Sequence, residues 1–123
     1  MSLKELIQGD VVVLTMRGNM LGDSDTAEFR ERIKALVAEG FLKVVLDLAT
    51  VAWVNSAGLG AMISAMTTLN RNGGDLRIAN ITDKIQSLFL VTQLVKVFKT
   101  YESTERAVAS FQIDPISGTP MEA

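Results

Sequence analysis

With 123 residues, 48% of them hydrophobic and 21% charged, the chain has the make-up of one globular domain whose folding buries roughly two-thirds of the unfolded surface. Its formal charge of −2 comes without a basic stripe, which argues against nucleic acid as a partner, and the absence of cysteine removes disulfides and thiolate metal sites. The absence of histidine cuts deeper, because Ser-His-Asp catalysis, histidine phosphotransfer and imidazole-ligated metals all need that ring.

In chain order, Leu3 to Ile7 reads as a short edge strand, and Gly9-Asp10 as the turn into a β-branched strand, Val11 to Arg17. A glycine-containing loop over 18–24 follows. Asp25 and Glu28 form a capping pair for a helix over 26–39, with Phe29, Ile33, Leu36 and Val37 on its inner face and Gly40 as its stop. The near-continuous apolar run over 43–48 fits a strand covered on both faces of a parallel sheet. A helix with Leu59, Met62, Ile63, Met66 and Leu69 at helical spacing begins at Ser56 and ends near Asn72-Gly73-Gly74.

Leu76 to Ala79 is the next strand, and Thr82 or Asp83 caps a helix carrying Ile85, Leu88 and Phe89. Val95 to Phe98 reads as a short strand. Ser103 caps a last helix with Ala107, Val108 and Phe111. The alternation defines an α/β fold: a mixed, mostly parallel sheet of four to five strands with about four helices packed on it. One domain over 1–112 and a flexible tail over 113–123 is the expected organisation, since periodicity is lost from Ile113 onward. No stretch approaches the roughly 18 apolar residues of a membrane span, and no signal pattern opens the chain, so a cytoplasmic location away from membranes is expected.

The stretch most informative about function is 55–60, Asn-Ser-Ala-Gly-Leu-Gly, a strand-to-helix turn. Ser56 is the expected N-cap, its hydroxyl accepting from a first-turn N–H. Each glycine costs a helix roughly 0.5–1 kcal/mol against Ala, so two in one first turn imply that something approaches the backbone closely, either a neighbouring loop or a partner. A step of about 100° per residue leaves Gly60, Ser64, Thr67 and Arg71 on the outer face, which is small, flat and polar. A phosphoryl group on Ser56 would meet the favourable N-terminal dipole, and its charge of about −1.5 to −2 would be felt by whatever docks there rather than by the fold.

Two enzymatic readings fail. A dinucleotide fingerprint needs a glycine where Ile63 stands, and a nucleophile elbow needs one where Val54 stands.

The runs Val44-Val45-Leu46-Asp47-Leu48, Val54-Asn55-Ser56-Ala57-Gly58-Leu59-Gly60, Gly73-Gly74-Asp75-Leu76 and Leu94-Val95-Lys96-Val97-Phe98 together resemble a bacterial anti-sigma factor antagonist of the STAS domain family, over roughly residues 4 to 112. The resemblance implies a non-enzymatic regulator without cofactors, whose phosphoacceptor is Ser56. It also implies partner switching. The unmodified protein binds an anti-sigma factor that is itself a serine kinase and so frees the sigma factor; phosphorylation breaks the complex, and a serine/threonine phosphatase restores it.

Asn55, Ala57, Gly58, Leu59, Gly60 and Ser64, with Asn19 and Asp23 from the preceding glycine loop, are the implied partner-binding residues. The family signature has aspartate where this chain has Asn55, and the early loop Gly18-Asn19-Met20-Leu21-Gly22-Asp23 is longer by about two residues. The alternative is a STAS domain in which Ser56 is never modified, serving as a nucleotide or anion sensor or as a scaffold in a multi-protein complex; homodimerisation stays open under both readings.

Overall fold

The computed structural model describes residues 1–114 and 116. Five strands form one sheet in sequential order: β1 (Ser2–Gln8), β2 (Val11–Arg17), β3 (Lys43–Asp47), β4 (Asp75–Ala79) and β5 (Thr100–Tyr101). The turn at Gly9-Asp10 makes β1 antiparallel to β2, with Leu3 opposite Met16 and Ile7 opposite Val12. β2 to β5 are mutually parallel, as helical crossovers require.

Pleating sends alternate residues to opposite faces. Val12, Leu14, Met16, Val44, Leu46, Leu76 and Ile78 face one side, which three helices cover: α1 (Asp23–Ala38), α2 (Ser56–Arg71) and α3 (Asp83–Val91). Phe29, Ile33, Leu59, Met62, Leu69, Ile85 and Phe89 fill that layer. Val11, Val13, Val45 and Ala79 face the other side and are covered by α4 (Thr104–Ile113) through Ala107 and Phe111.

Several local expectations are corrected. The segment Val95 to Phe98 is not a strand: Leu94–Lys96 forms a single 3₁₀ turn, and the fifth strand comes later, at Thr100–Tyr101. Leu94 and Phe98 are the inward residues, four apart as in a helical turn, while Val95 and Val97 face solvent; Phe98 stacks on Phe89 with centroids 5.6 Å apart. α1 starts earlier than expected, at Asp23, with Gly22 as an N-cap that has no side chain to offer. Asp25 therefore lies inside the first turn, and its carboxylate reaches back to accept from the Leu21 N–H at 3.3 Å.

α2 is rotated from its expected orientation: Ala61 and Ala65 face inward beside Leu59, Met62 and Leu69, and Ile63 is exposed. Alanine lets α2 approach α1 and the sheet closely, which a bulky Ile63 on that side would prevent. α4 runs through Ile113, and Asp114 accepts from Lys99 at 2.8 Å, so ordered structure continues past residue 112. The rest of the expected tail, 115 and 117–123, lies outside the described residues. No helix among the described residues is long and apolar enough to cross a membrane.

Candidate protein-docking site

The loops that leave β2 and β3 meet at the C-terminal end of the parallel strands, where open α/β sheets place their sites. A one-residue parallel bridge joins Met20 to Val54, and the Asn55 N–H donates to the Met20 carbonyl at 3.3 Å. Two asparagines complete the closure. Asn19 Oδ1 accepts from the backbone N–H groups of Ala52 (3.1 Å) and Trp53 (3.0 Å). From the other side, Asn55 Nδ2 donates to the Leu21 carbonyl at 2.8 Å, while its Oδ1 accepts from the Gly58 N–H at 2.9 Å.

Asn55, then, is the N-cap of α2, and the expectation that Ser56 fills that role is corrected. Asparagine caps as well as serine, and here it accepts and donates through two separate atoms where serine has only one oxygen. Ser56 moves to the first helical position. It is exposed, and among the described residues its hydroxyl has no hydrogen-bond partner. The N–H groups of Ser56 and Ala57 belong to the turn that intrahelical bonding leaves unsatisfied, and no acidic residue sits in that turn. The positive end of α2 therefore opens on solvent beside a free hydroxyl.

The two glycines separate in role. A Cβ on Gly58 would lie 2.4 Å from Val54 Cγ1 and 3.2 Å from the Met20 carbonyl oxygen. Its closeness serves the protein's own loop. A Cβ on Gly60 would meet nothing within 4 Å, so the open surface there is available to a partner.

The remaining sequence-derived residues fall into four groups. Ala57 and Asp23 are exposed near Ser56 and at the start of α1, respectively. Ser64 is half-buried in the groove between α1 and α2, below the basic side chains of Arg30 and Lys34. Gly58 and Leu59 face inward and are not available for direct contact, whereas Asn19 and Asn55 spend their polar atoms on the loop clamp.

Sequence reasoning missed Leu21 and Trp53, which are 50% and 43% exposed and stand on the two clamped loops.

Fold and site together define a small α/β domain that presents an exposed serine at a helix N-terminus on a platform of two hydrogen-bonded loops. The profile of the STAS domain matches residues 4–107, and the chain belongs to that family. It is 30% identical over 78 residues to the anti-sigma-B factor antagonist of Staphylococcus aureus (strain NCTC 8325 / PS 47), covering 63% of this chain and 72% of that protein. Among solved structures, an anti-sigma factor antagonist from Mycobacterium paratuberculosis superposes with a TM-score of 0.78 at 20% identity, over 90% of this chain and 93% of that one. The Bacillus cell fate determinant SpoIIAA, solved in its phosphorylated form, matches with a TM-score of 0.68 at 16% identity, over 87% and 96%.

Proposed function

We propose that this protein is a cytoplasmic anti-sigma factor antagonist that works by partner switching through Ser56. In its unmodified state it binds an anti-sigma factor that is also a serine kinase, which frees the sigma factor. Phosphorylation of Ser56 by that kinase breaks the complex, and a serine/threonine phosphatase resets it. The relatives named as anti-sigma-B factor antagonists support the general role.

The observation that carries the switch is the setting of Ser56: an exposed hydroxyl, without a hydrogen-bond partner among the described residues, beside Asn55, whose side-chain amide is engaged at both ends. A phosphate on Ser56 can accept from the free N–H groups of the first turn without displacing the Asn55 clamp. The fold is kept. The docking surface formed by Ala57, Gly60, Asp23 and the outer face of α2 gains a bulky dianion in its midst.

The test is to incubate the purified protein with ATP and each anti-sigma-type serine kinase of its own organism, following intact mass, with Ser56→Ala as control. We expect a gain of one phosphate that vanishes in the control, and we expect Ser56→Asp to weaken kinase binding while shifting stability by no more than about 1 kcal/mol. No gain with any kinase overturns phosphoregulation.

A further inference from the structure

We infer that the apolar groove between Trp53 and α3 is part of the docking face over Ser56, and that it receives a large apolar side chain of the same anti-sigma kinase. This rests on reading Ser56 as that kinase's substrate. The groove has a volume of about 430 Å³; Trp53, Leu88 and Val91 form its apolar walls, and Asp83, Lys84 and Ser87 its polar rim. Such an arrangement, an apolar centre inside a polar margin, is that of a protein-binding patch.

Three observations tie the groove to one occupant. The first is reach. Trp53 lies three residues before Ser56, within about 11 Å along even a fully extended chain. A kinase must close over the Ser56 hydroxyl, and a typical footprint of about 800 Å² per partner extends roughly 16 Å from its centre, so it covers Trp53.

The second is that the fold leaves Trp53 unused. The residue is 43% exposed, and among the described residues its indole N–H has no hydrogen-bond partner, while Val91 across the groove is 83% exposed. Tryptophan is the residue most enriched at binding hot spots, and its N–H is normally paired once covered. The third is rigidity. Asn19 Oδ1 accepts from the Trp53 backbone N–H at 3.0 Å, so the backbone that carries the anchor is held before the partner arrives and only the rotamer freedom of the side chain is lost on its burial.

The chain contains one tryptophan, which makes the test direct. Protein labelled with 5-fluorotryptophan gives a single ¹⁹F resonance, to be followed while each anti-sigma-type kinase of the organism is added with ADP. Kd is measured in parallel for the wild type, Trp53→Ala and Val91→Lys. The second variant changes a side chain that contributes nothing to the core, so it remains informative if Trp53→Ala is unstable.

We expect the ¹⁹F resonance to shift on kinase binding and Kd to weaken about tenfold or more in both variants. For phosphorylation of Ser56 we expect KM to rise with kcat nearly unchanged, because the groove binds the kinase and does not touch the reacting atoms. A kinase that phosphorylates Ser56 normally and binds both variants as tightly as the wild type overturns this inference alone. Binding by no kinase overturns it together with the switch. A resonance that moves when the protein is concentrated by itself assigns the groove to a second copy, and likewise overturns it.

Discussion

At the scale of single residues, the glycines of the central turn give opposite predictions although they lie two positions apart in the same helix. Gly58→Ala forces a methyl group against Val54 and the Met20 carbonyl, where the two loops are bridged, and should destabilise the protein by about 1–3 kcal/mol. Gly60→Ala places its methyl in open space and removes a helix-interior glycine, so it should stabilise by about 0.5–1 kcal/mol. Urea unfolding measures both. Under the proposed function, Gly60→Ala should also weaken kinase binding, and a variant that is more stable yet binds less well cannot be explained by damage to the fold. The sequence motif located this turn but not the division of labour within it. Serine and asparagine are both good N-caps, and Asn55 is favoured by the Leu21 carbonyl, distant in sequence, which accepts from its Nδ2 while its Oδ1 caps the helix.

At the scale of elements, the junction between α4 and the sheet is held by a residue the sequence pattern disguises. Arg77 interrupts the apolar run of β4 and reads as a solvent-facing position, yet it is fully buried, because α4 covers that face. Its guanidinium donates to Asp75 Oδ2 (3.0 Å), Ser110 Oγ (2.8 Å) and the Asp114 carbonyl (2.7 Å), and lies 4.1 Å from the centre of the Phe111 ring. The cation thereby sits at the negative end of α4. Truncation as Arg77→Ala would strand Asp75, the Ser110 hydroxyl and the end of the helix, and should cost about 3–5 kcal/mol in chemical denaturation, against about 1 kcal/mol for Ser110→Ala. Equal small losses in both would mean that α4 is held by Ala107 and Phe111 alone. Three elements were legible from their apolar residues: β2 and β3, buried on both faces, from near-continuous apolar runs, and α1, buried on one face, from apolar residues at helical spacing. Val95 to Phe98 was not. Its β-branched residues suggest a strand, but burial selects Leu94 and Phe98 at helical spacing, and β-propensity yields to that packing.

At the scale of the whole molecule, the absence of histidine makes pH a clean probe of the switch. Two carboxyl groups titrate below their ordinary range: Asp10, chiefly through the hydrogen bond from Lys43 at 2.6 Å, and Asp114, chiefly through that from Lys99 at 2.8 Å. For a depressed carboxylate, the unfolded chain takes up protons first as pH falls. The stabilisation is thus complete above the unfolded value of about 3.9 and is lost as pH drops through the lower folded value. Both pairs are exposed, so the loss is small. Thermal stability of the unmodified protein should therefore be flat from pH 5 to 7 and decline below about 4. Phosphorylation adds one group with a second pKa near 6, and the N-terminus of α2 favours its dianion, lowering that pKa in the folded state relative to the unfolded chain. By the same sign, the phosphorylated protein should gain about 0.5–1 kcal/mol over the unmodified one at pH 7 and lose the dianion's share of that gain as pH falls below about 6, toward the lowered folded value. Melting curves of the two forms between pH 3 and 8 give the comparison. A difference that stays constant across pH 6 would place the phosphate away from the helix terminus, and the switch would then have to act by moving the loop rather than by recharging a surface that stays still.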